Sequence, residues 1–388
     1  MRASRWEGIF WATTGTFLTC TALFYFCPPE PWLLRKTVHF LSFEFERNLA
    51  TWWEGLCFLI VALLAFERSG KGGPAWAWRG LAALGAGLSL DELSSIHERS
   101  DLLFKPIGLD HQSLAVLPFA IPAALIAVAT IVVFWRAGER RRAWLLGSAL
   151  LLLGSVVLQE KIEHHLHVPA WFAPYRGVVE EGTELLGVYL LLQIVVSAGA
   201  RLASLLPEPK TALRLLVPAA ILVSLGTPML MYIGWVTRFM QRGRGIPMAW
   251  CPFALVAIVG LAALAAAREG KRDRAVLGLL GVLALFFCLD EIAVLQIGQD
   301  KRLATSALQP FMLPVLGGLA MLTPRIRSAR NAAPLAIVFV AGHPLLTSAE
   351  RIWPWVVATI EAFALLYVVA TGLGGEAPES ASEVDKSG

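Results

Sequence analysis

The sequence has 388 residues, of which 56% are hydrophobic and only 16% are charged, whereas a soluble domain carries roughly 25% charged residues. The formal net charge of +4 comes from basic residues in short segments between apolar runs, so it does not indicate nucleic-acid binding. The five cysteines form no C-x-x-C pair, and we interpret them as packing residues.

Apolar runs of about 17 to 22 residues recur along the chain, which is the length at which a helix spans a bilayer core. Because backbone amides in lipid must be paired internally, we expect each run to be helical. The twelve predicted spans are 8–27, 49–66, 79–99, 113–135, 143–163, 177–199, 212–235, 249–267, 274–296, 308–323, 332–349 and 353–373. The sequence thus predicts an all-α, polytopic integral membrane helix bundle of about twelve transmembrane helices.

Lys and Arg are more frequent on the side that holds the N-terminus, for example at Arg140, Arg141 and Arg142. The positive-inside rule therefore predicts a multi-pass protein of the cell inner membrane with both termini in the cytoplasm. The polar, acidic segment 374–388 is predicted to be a disordered cytoplasmic tail. All seven histidines fall on the opposite, outer side: His39, His97, His111, His164, His165, His167 and His343.

Two halves of the chain share landmarks in the same order. Leu90-Asp91-Glu92 near the end of predicted helix 3 corresponds to Leu289-Asp290-Glu291 in helix 9, and Glu160-Lys161-Ile162 corresponds to Glu350-Arg351-Ile352. An even number of helices per unit makes such repeats parallel. We therefore predict a first six-helix repeat at 1–200 and a second, degenerate one at 201–373 that lacks the histidine cluster. Chance similarity between apolar helices is the alternative.

Ionisable side chains form helical stripes at the outer ends of three predicted helices, since residues three, four and seven apart share a face. Helix 5 carries Glu160, Glu163, His164 and His167, helix 3 carries Asp91 and Glu98, and helix 6 carries Glu180, Glu181 and Glu184. Carboxylates and imidazoles on facing helices are how helical bundles hold iron, manganese or zinc. Carboxylates this deep in lipid usually face a cavity, a partner or an ion.

We predict two kinds of role for these residues, metal ligand and catalytic carboxylate. The predicted metal ligands are Glu160, His164, His167, Glu98 and Glu184. The predicted catalytic carboxylates are Asp91, Glu92 and Glu181, any of which can act as a general base when it holds no metal. The expected cofactor is zinc, iron or manganese. The alternatives are that the helix 5 stripe is merely solvated, and that the deep carboxylates pair with nearby basic residues.

The same residues carry a resemblance to a group of bacterial multi-pass membrane proteins that largely lack an assigned function. The shared motifs are L-D-E-x-x-x-x-H-E at Leu90–Glu98, E-E-x-x-E-x-x-G at Glu180–Gly187 and E-x-N-x-x-T-W at Glu46–Trp52. The resemblance covers helices 2 to 6 and implies that the first repeat is the functional one. A weaker likeness to membrane ceramidase-type hydrolases rests on Asp, Ser and His near one face, with different spacing.

Three functions fit these patterns. A metal site at the outer face could serve a lipid-active membrane enzyme, in which the metal activates water or dioxygen. Twelve helices in two repeats also suit a proton- or cation-coupled transporter. A structural or assembly subunit is the third alternative. Membrane lipids are the expected partners, nucleic acid is not, and the sequence does not indicate an oligomeric state.

Overall fold

The structure is a computed structural model that describes most of the first half of the chain and parts of the second. The described residues are 3–26, 38, 41–43, 49–94, 117–165, 173–199, 260–261, 263–264, 267, 274–297, 314–322, 330 and 332–337. Every regular element in these ranges is an α-helix, which confirms the all-α prediction. The tail at 374–388 lies outside them.

Seven long helices correspond to predicted helices 1 to 6 and 9. They are α1 (Ala3–Phe26), α2 (Leu49–Ser69), α3 (Ala75–Ser94), α4 (Leu117–Arg136), α5 (Arg140–His165), α6 (Ala173–Ser197) and α7 (Arg274–Ile297). Predicted spans 8, 10 and 11 fall only partly within the described residues, and spans 7 and 12 fall outside them.

Three described stretches are long and apolar enough to cross a membrane. They are Trp6–Phe26, Leu49–Ser69 and Leu117–Arg136. The helices α3, α5, α6 and α7 have 20, 26, 25 and 24 residues, so at 1.5 Å per residue each is at least as long as the roughly 30 Å of a bilayer core. The charged residues of α3, α5 and α6 lower the mean hydropathy of these helices. Several of these charged residues are candidate site residues.

The first compact unit holds the described helices α1 to α6. In it, α2 packs on α3, α3 on α4, α4 on α5, α5 on α6, and α6 on α2, which closes a cycle of five helices; α1 packs on α6. Helix α2 is the most enclosed span, with 72% of its apolar window buried, whereas α4 has 17% buried. An apolar face as exposed as that of α4 is suited to contact with lipid.

Among the described glycines of this cycle, the closest approach to a neighbouring backbone joins α2 and α3 at Gly85. A Cβ atom built on Gly85 would lie 2.8 Å from the backbone nitrogen of Ala62 and 2.9 Å from the carbonyl oxygen of Phe58. Glycine is therefore required here so that the two backbones can touch. The buried hydroxyl of Ser89, one turn further along α3, donates a 2.8 Å hydrogen bond to the carbonyl oxygen of Gly55.

Short connections make neighbouring helices antiparallel and give the unit two distinct ends. Residues 70–74 join α2 to α3, and residues 137–139 join α4 to α5, where Gly138 at φ +81° ends α4. The amide of Glu139 donates to the carbonyl of Phe134 at 2.9 Å and that of Gly138 donates to Trp135 at 3.1 Å, as in a Schellman motif. We call the end with these two connections the basic end, because it carries Arg68, Lys71, Arg79, Arg136, Arg140, Arg141 and Arg142.

The second compact unit contains α7 and the described residues on both sides of it. Gly281 of α7 approaches the carbonyl oxygen of Gly260, because a Cβ atom built on Gly281 would lie 2.9 Å from that oxygen. Leu277, Leu280 and Leu283 of α7 are fully buried. The side chains of Asp290 and Glu291 lie outside the described part of the chain.

Candidate metal centre

The centre begins with Glu54, a carboxylate near the start of the apolar helix α2. Glu54 is five residues after Leu49, the first residue of the helix, and its side chain is only 1% exposed. Its Oε1 accepts no hydrogen bond from the described residues. Burying an ionised carboxylate without compensation costs several kcal/mol or more, so a group in this position needs a proton, a cation or a hydrogen-bond donor.

Helix α6 brings two more carboxylates to Glu54. Glu181 and Glu184 are three residues apart and so lie on one face of the helix, and both are half-buried. One carboxylate oxygen from each of Glu54, Glu181 and Glu184 lies within 4.8 Å of the others. We call these three residues the carboxylate cluster.

Packing between α2 and α6 explains why the cluster forms. Ala50 lies one turn before Glu54, and Leu185 directly follows Glu184; both are buried in one hydrophobic cluster with Phe17 and Phe43. This contact fixes the height and rotation of the two helices beside the carboxylates.

A fourth carboxylate lies close by on α3. Glu184, Glu92 and Glu181 all act electrostatically on Glu54, and Glu92 is half-buried near the end of α3. Because α2 and α3 are antiparallel, the end of α3 meets the start of α2, and the hydrogen bond from Ser89 to Gly55 sets this alignment.

Electrostatics make the cluster an unfavourable arrangement unless its charge is balanced. Two unit negative charges 4.8 Å apart repel each other by about 3 to 4 kcal/mol at an effective dielectric constant of about 20. A cation midway between two such oxygens would lie about 2.4 Å from each, which is within the range of Ca²⁺–oxygen distances. The arrangement can therefore bind a cation or share protons among its carboxylates.

The structure brings together part of the predicted site. Glu181 and Glu184 belong to the cluster, and Glu92 lies within electrostatic reach of Glu54. Asp91 is half-buried on α3 and is not among the three clustered carboxylates. Glu98 and His167 lie outside the described residues.

Of the helix 5 stripe, the structure describes only the backbone of Glu160, Glu163 and His164. Glu160 and His164 lie in the last two turns of α5, and their side chains lie outside the described set. Gly187 of α6 approaches Ala149 and Leu153 of α5, and the seven-residue link 166–172 is too short to span either helix. The two helices are therefore antiparallel, which brings the end of α5 to the same end of the unit as Glu181.

Sequence reasoning missed Glu54. Its only signal was that it is the one acidic residue in the apolar run 49–66, and a carboxylate inside a membrane span marks a functional site by default. The longer acidic stripes on predicted helices 3, 5 and 6 are a stronger pattern than this single residue.

The fold and the site together define a class: an all-helical protein with membrane-length helices and a buried carboxylate cluster. Residues 45–198 match a family described only as a domain of unknown function (DUF8692). The matched segment contains the whole cluster and helices α2 to α6. The match agrees with the resemblance to proteins that lack an assigned function. No protein of curated function and no solved structure matches the chain.

Proposed function

We propose that this chain is a multi-pass protein of the cell inner membrane whose first helical unit holds a metal at the carboxylate cluster and acts there as a lipid-active membrane enzyme. The observation that carries the proposal is the meeting of buried Glu54 with Glu181 and Glu184. Predicted helix 5 would bring further histidines and acidic residues to the same end of the unit.

Charge distribution supports the proposed orientation. Lys71 of the connection 70–74 lies at the basic end, together with the arginines of the helix ends beside the two connections. The carboxylate cluster lies toward the other end of the unit. With Arg and Lys retained in the cytoplasm, the cluster is nearer the outer leaflet. Lipid head groups and ester or amide linkages of that leaflet are then the substrates within reach.

The proposal includes twelve transmembrane helices in two parallel repeats. One observation supports the repeat: Asp91 in α3 and Asp290 in α7 each lie sixteen residues after the first residue of their helix. The L-D-E landmark thus recurs at the same height in predicted helices 3 and 9, as duplication of a six-helix unit requires.

The chemistry of the site follows from its charge. A bound metal lowers the pKa of its water and polarises a substrate oxygen. Within this arrangement, Glu92 and Asp91 on α3 are the candidate general bases, because they lie on a helix next to the cluster without belonging to it. Exclusion of water by the apolar surface of α2 would strengthen each of these interactions.

The test is lipid turnover by the full-length protein reconstituted in vesicles of phospholipid with added sphingolipid. We expect turnover that chelator removes and added divalent metal restores, and that is lost in Glu92→Gln. The matched control is Glu67→Gln, because Glu67 pairs with Lys71 at the basic end, far from the cluster. Turnover that is absent from the wild type with every metal and lipid tested would contradict the enzyme proposal.

A proton- or cation-coupled transporter is the second candidate, and one observation favours it. Glu54 lies inside the bundle, and its Oε1 accepts no hydrogen bond from the described residues, which suits a group that alternately binds and releases a proton or cation. Flux of H⁺ or a metal ion into proteoliposomes, abolished in Glu54→Gln, would support this candidate over the enzyme. A structural subunit would show neither activity and would co-purify with a partner through the same surface.

A further inference from the structure

We infer that Glu54, Glu181 and Glu184 form an oxygen-only site for a hard divalent cation, of the class of Mg²⁺, Mn²⁺ or Ca²⁺, with Glu54 as its buried anchor. The inference rests on the proposed function for the idea that this end of the unit works with a metal, and it specifies the ligands and the kind of metal. It differs from the sequence prediction, in which histidines of helix 5 held zinc, iron or manganese.

The first step is geometric. Three carboxylate oxygens within 4.8 Å of one another surround a point that is at most about 2.8 Å from each, so small side-chain rotations would bring all three to the roughly 2.0 to 2.6 Å at which Mg²⁺ and Ca²⁺ bind oxygen. The ligands come from two helices that pack against each other, and two of them share one face of α6. Such a set is held in place by helix packing, which favours a preformed site.

The second step concerns Glu54 alone and is independent of the clustering. Its side chain is 1% exposed, and its Oε1 accepts no hydrogen bond from the described residues. Buried polar atoms in native proteins are nearly always satisfied. This oxygen lies on a side chain that points toward Glu181 and Glu184, so a cation bound there would satisfy Glu54 and would also be within reach of the other two carboxylates.

The third step selects the class of cation. The three donors are carboxylate oxygens, and no imidazole or thiolate joins them among the residues that the structure describes. Cys57 is buried less than one turn beyond Glu54, yet it is not part of the group. Hard oxygen ligands suit Mg²⁺, Ca²⁺ and Mn²⁺, whereas zinc and copper prefer nitrogen or sulfur.

The experiment measures Mn²⁺ binding to chelator-stripped, full-length protein in detergent by electron paramagnetic resonance, with Mg²⁺, Ca²⁺ and Zn²⁺ as competitors. We expect one tightly bound Mn²⁺ that Mg²⁺ or Ca²⁺ displaces. Glu54→Gln and Glu184→Gln should each weaken binding by at least about tenfold, since even changes to residues behind the ligands cost 10- to 100-fold.

Two controls separate this site from its neighbours. Glu180→Gln changes a carboxylate beside Glu181 that is not in the cluster and should leave Mn²⁺ affinity within about twofold. The double change of His164 and His167 to Ala should also leave it unchanged. Because Glu184 is half-buried, Glu184→Gln tests the site even when the Glu54 variant fails to fold.

The outcomes are distinct. A wild type that binds none of the three hard cations overturns the inference, and so does preferential Zn²⁺ binding that disappears in the histidine variant. Mn²⁺ binding that depends on Glu54, together with no lipid turnover, upholds the cation site and rejects the enzyme proposal. Lipid turnover that survives Glu54→Gln and Glu184→Gln upholds lipid activity but rejects both this cation site and the placing of the enzyme's metal at the carboxylate cluster.

Discussion

The hydroxyl of Ser89 donates a 2.8 Å hydrogen bond to the carbonyl oxygen of Gly55, the residue that follows Glu54. This bond joins α3 to α2 at the height of the carboxylate cluster, and both groups are buried. It therefore couples the position of Glu92, three residues further along α3, to the position of Glu54. The site depends on this contact although Ser89 has no charge.

Ser89→Ala tests that dependence. Loss of a buried hydrogen bond should lower the free energy of unfolding by about 1 kcal/mol, and freer movement of α3 should also weaken Mn²⁺ binding several-fold. Unfolding in detergent and metal titration measure the two effects. The control is Ser69→Ala, because Ser69 bonds only within its own helix at an exposed position. Equal losses in the two variants would contradict the assigned role of Ser89.

Gly85→Ala should be strongly destabilising, because the new methyl group would meet the backbone of Ala62 and Phe58 at under 3 Å. Backbone atoms cannot rotate away, so α2 and α3 must separate, at a cost of about 2 to 3 kcal/mol. Gly87→Ala, on the same helix, meets nothing within 4 Å and should be neutral or slightly stabilising. Thermal unfolding of the two variants in the same detergent provides the comparison, and similar melting temperatures would refute it.

The helices of the first unit were predictable because apolar runs of membrane length leave the backbone no other structure. The start of α3 was placed too late: the helix begins at Ala75, directly after Pro74, and includes Trp76 and Trp78. The indole N–H makes tryptophan less hydrophobic than an aliphatic residue, so the hydropathy pattern alone did not include these two residues.

Half of the site was predictable, and the reason lies in the two helices that form it. On α6, Glu181 and Glu184 repeat at helical spacing in an otherwise apolar stretch, so their shared face is visible in the sequence. On α2, the residues around Glu54 are apolar apart from Thr51, so the sequence does not indicate which face meets α6. The rotation of α2 about its axis is set by tertiary packing, in which Ala50 and Leu185 belong to one hydrophobic cluster.

Orientation can be tested by cysteine labelling in whole cells, in a background that lacks the native cysteines. Arg140→Cys, exposed at the basic end, should react only after the membrane is permeabilised, because positively charged segments stay in the cytoplasm. Tyr175→Cys, 48% exposed near the start of α6, should react with an impermeant reagent from outside. The opposite pattern would reverse the orientation and move the carboxylate cluster to the cytoplasmic side.

Glu54→Gln should change stability in opposite directions without and with metal. In chelator and at a pH high enough to ionise Glu54, the neutral amide removes the repulsion from Glu181 and Glu184 and can donate a hydrogen bond to one of them. A hydrogen bond to a charged group contributes about 1.5 to 3 kcal/mol, so the metal-free variant should be more stable than the wild type. The variant should gain nothing when Mn²⁺ is added.

The wild type, in contrast, should gain about 2.7 kcal/mol when free Mn²⁺ is a hundred times its dissociation constant. The melting curves of the two proteins should therefore change order between chelator and saturating Mn²⁺, which no effect on general packing would produce. Glu180→Gln is the control and should follow the wild type in both conditions. A Glu54→Gln variant that is less stable in chelator would mean that the Glu54 carboxylate already has a stabilising partner, and the cluster would then be a structural ion network.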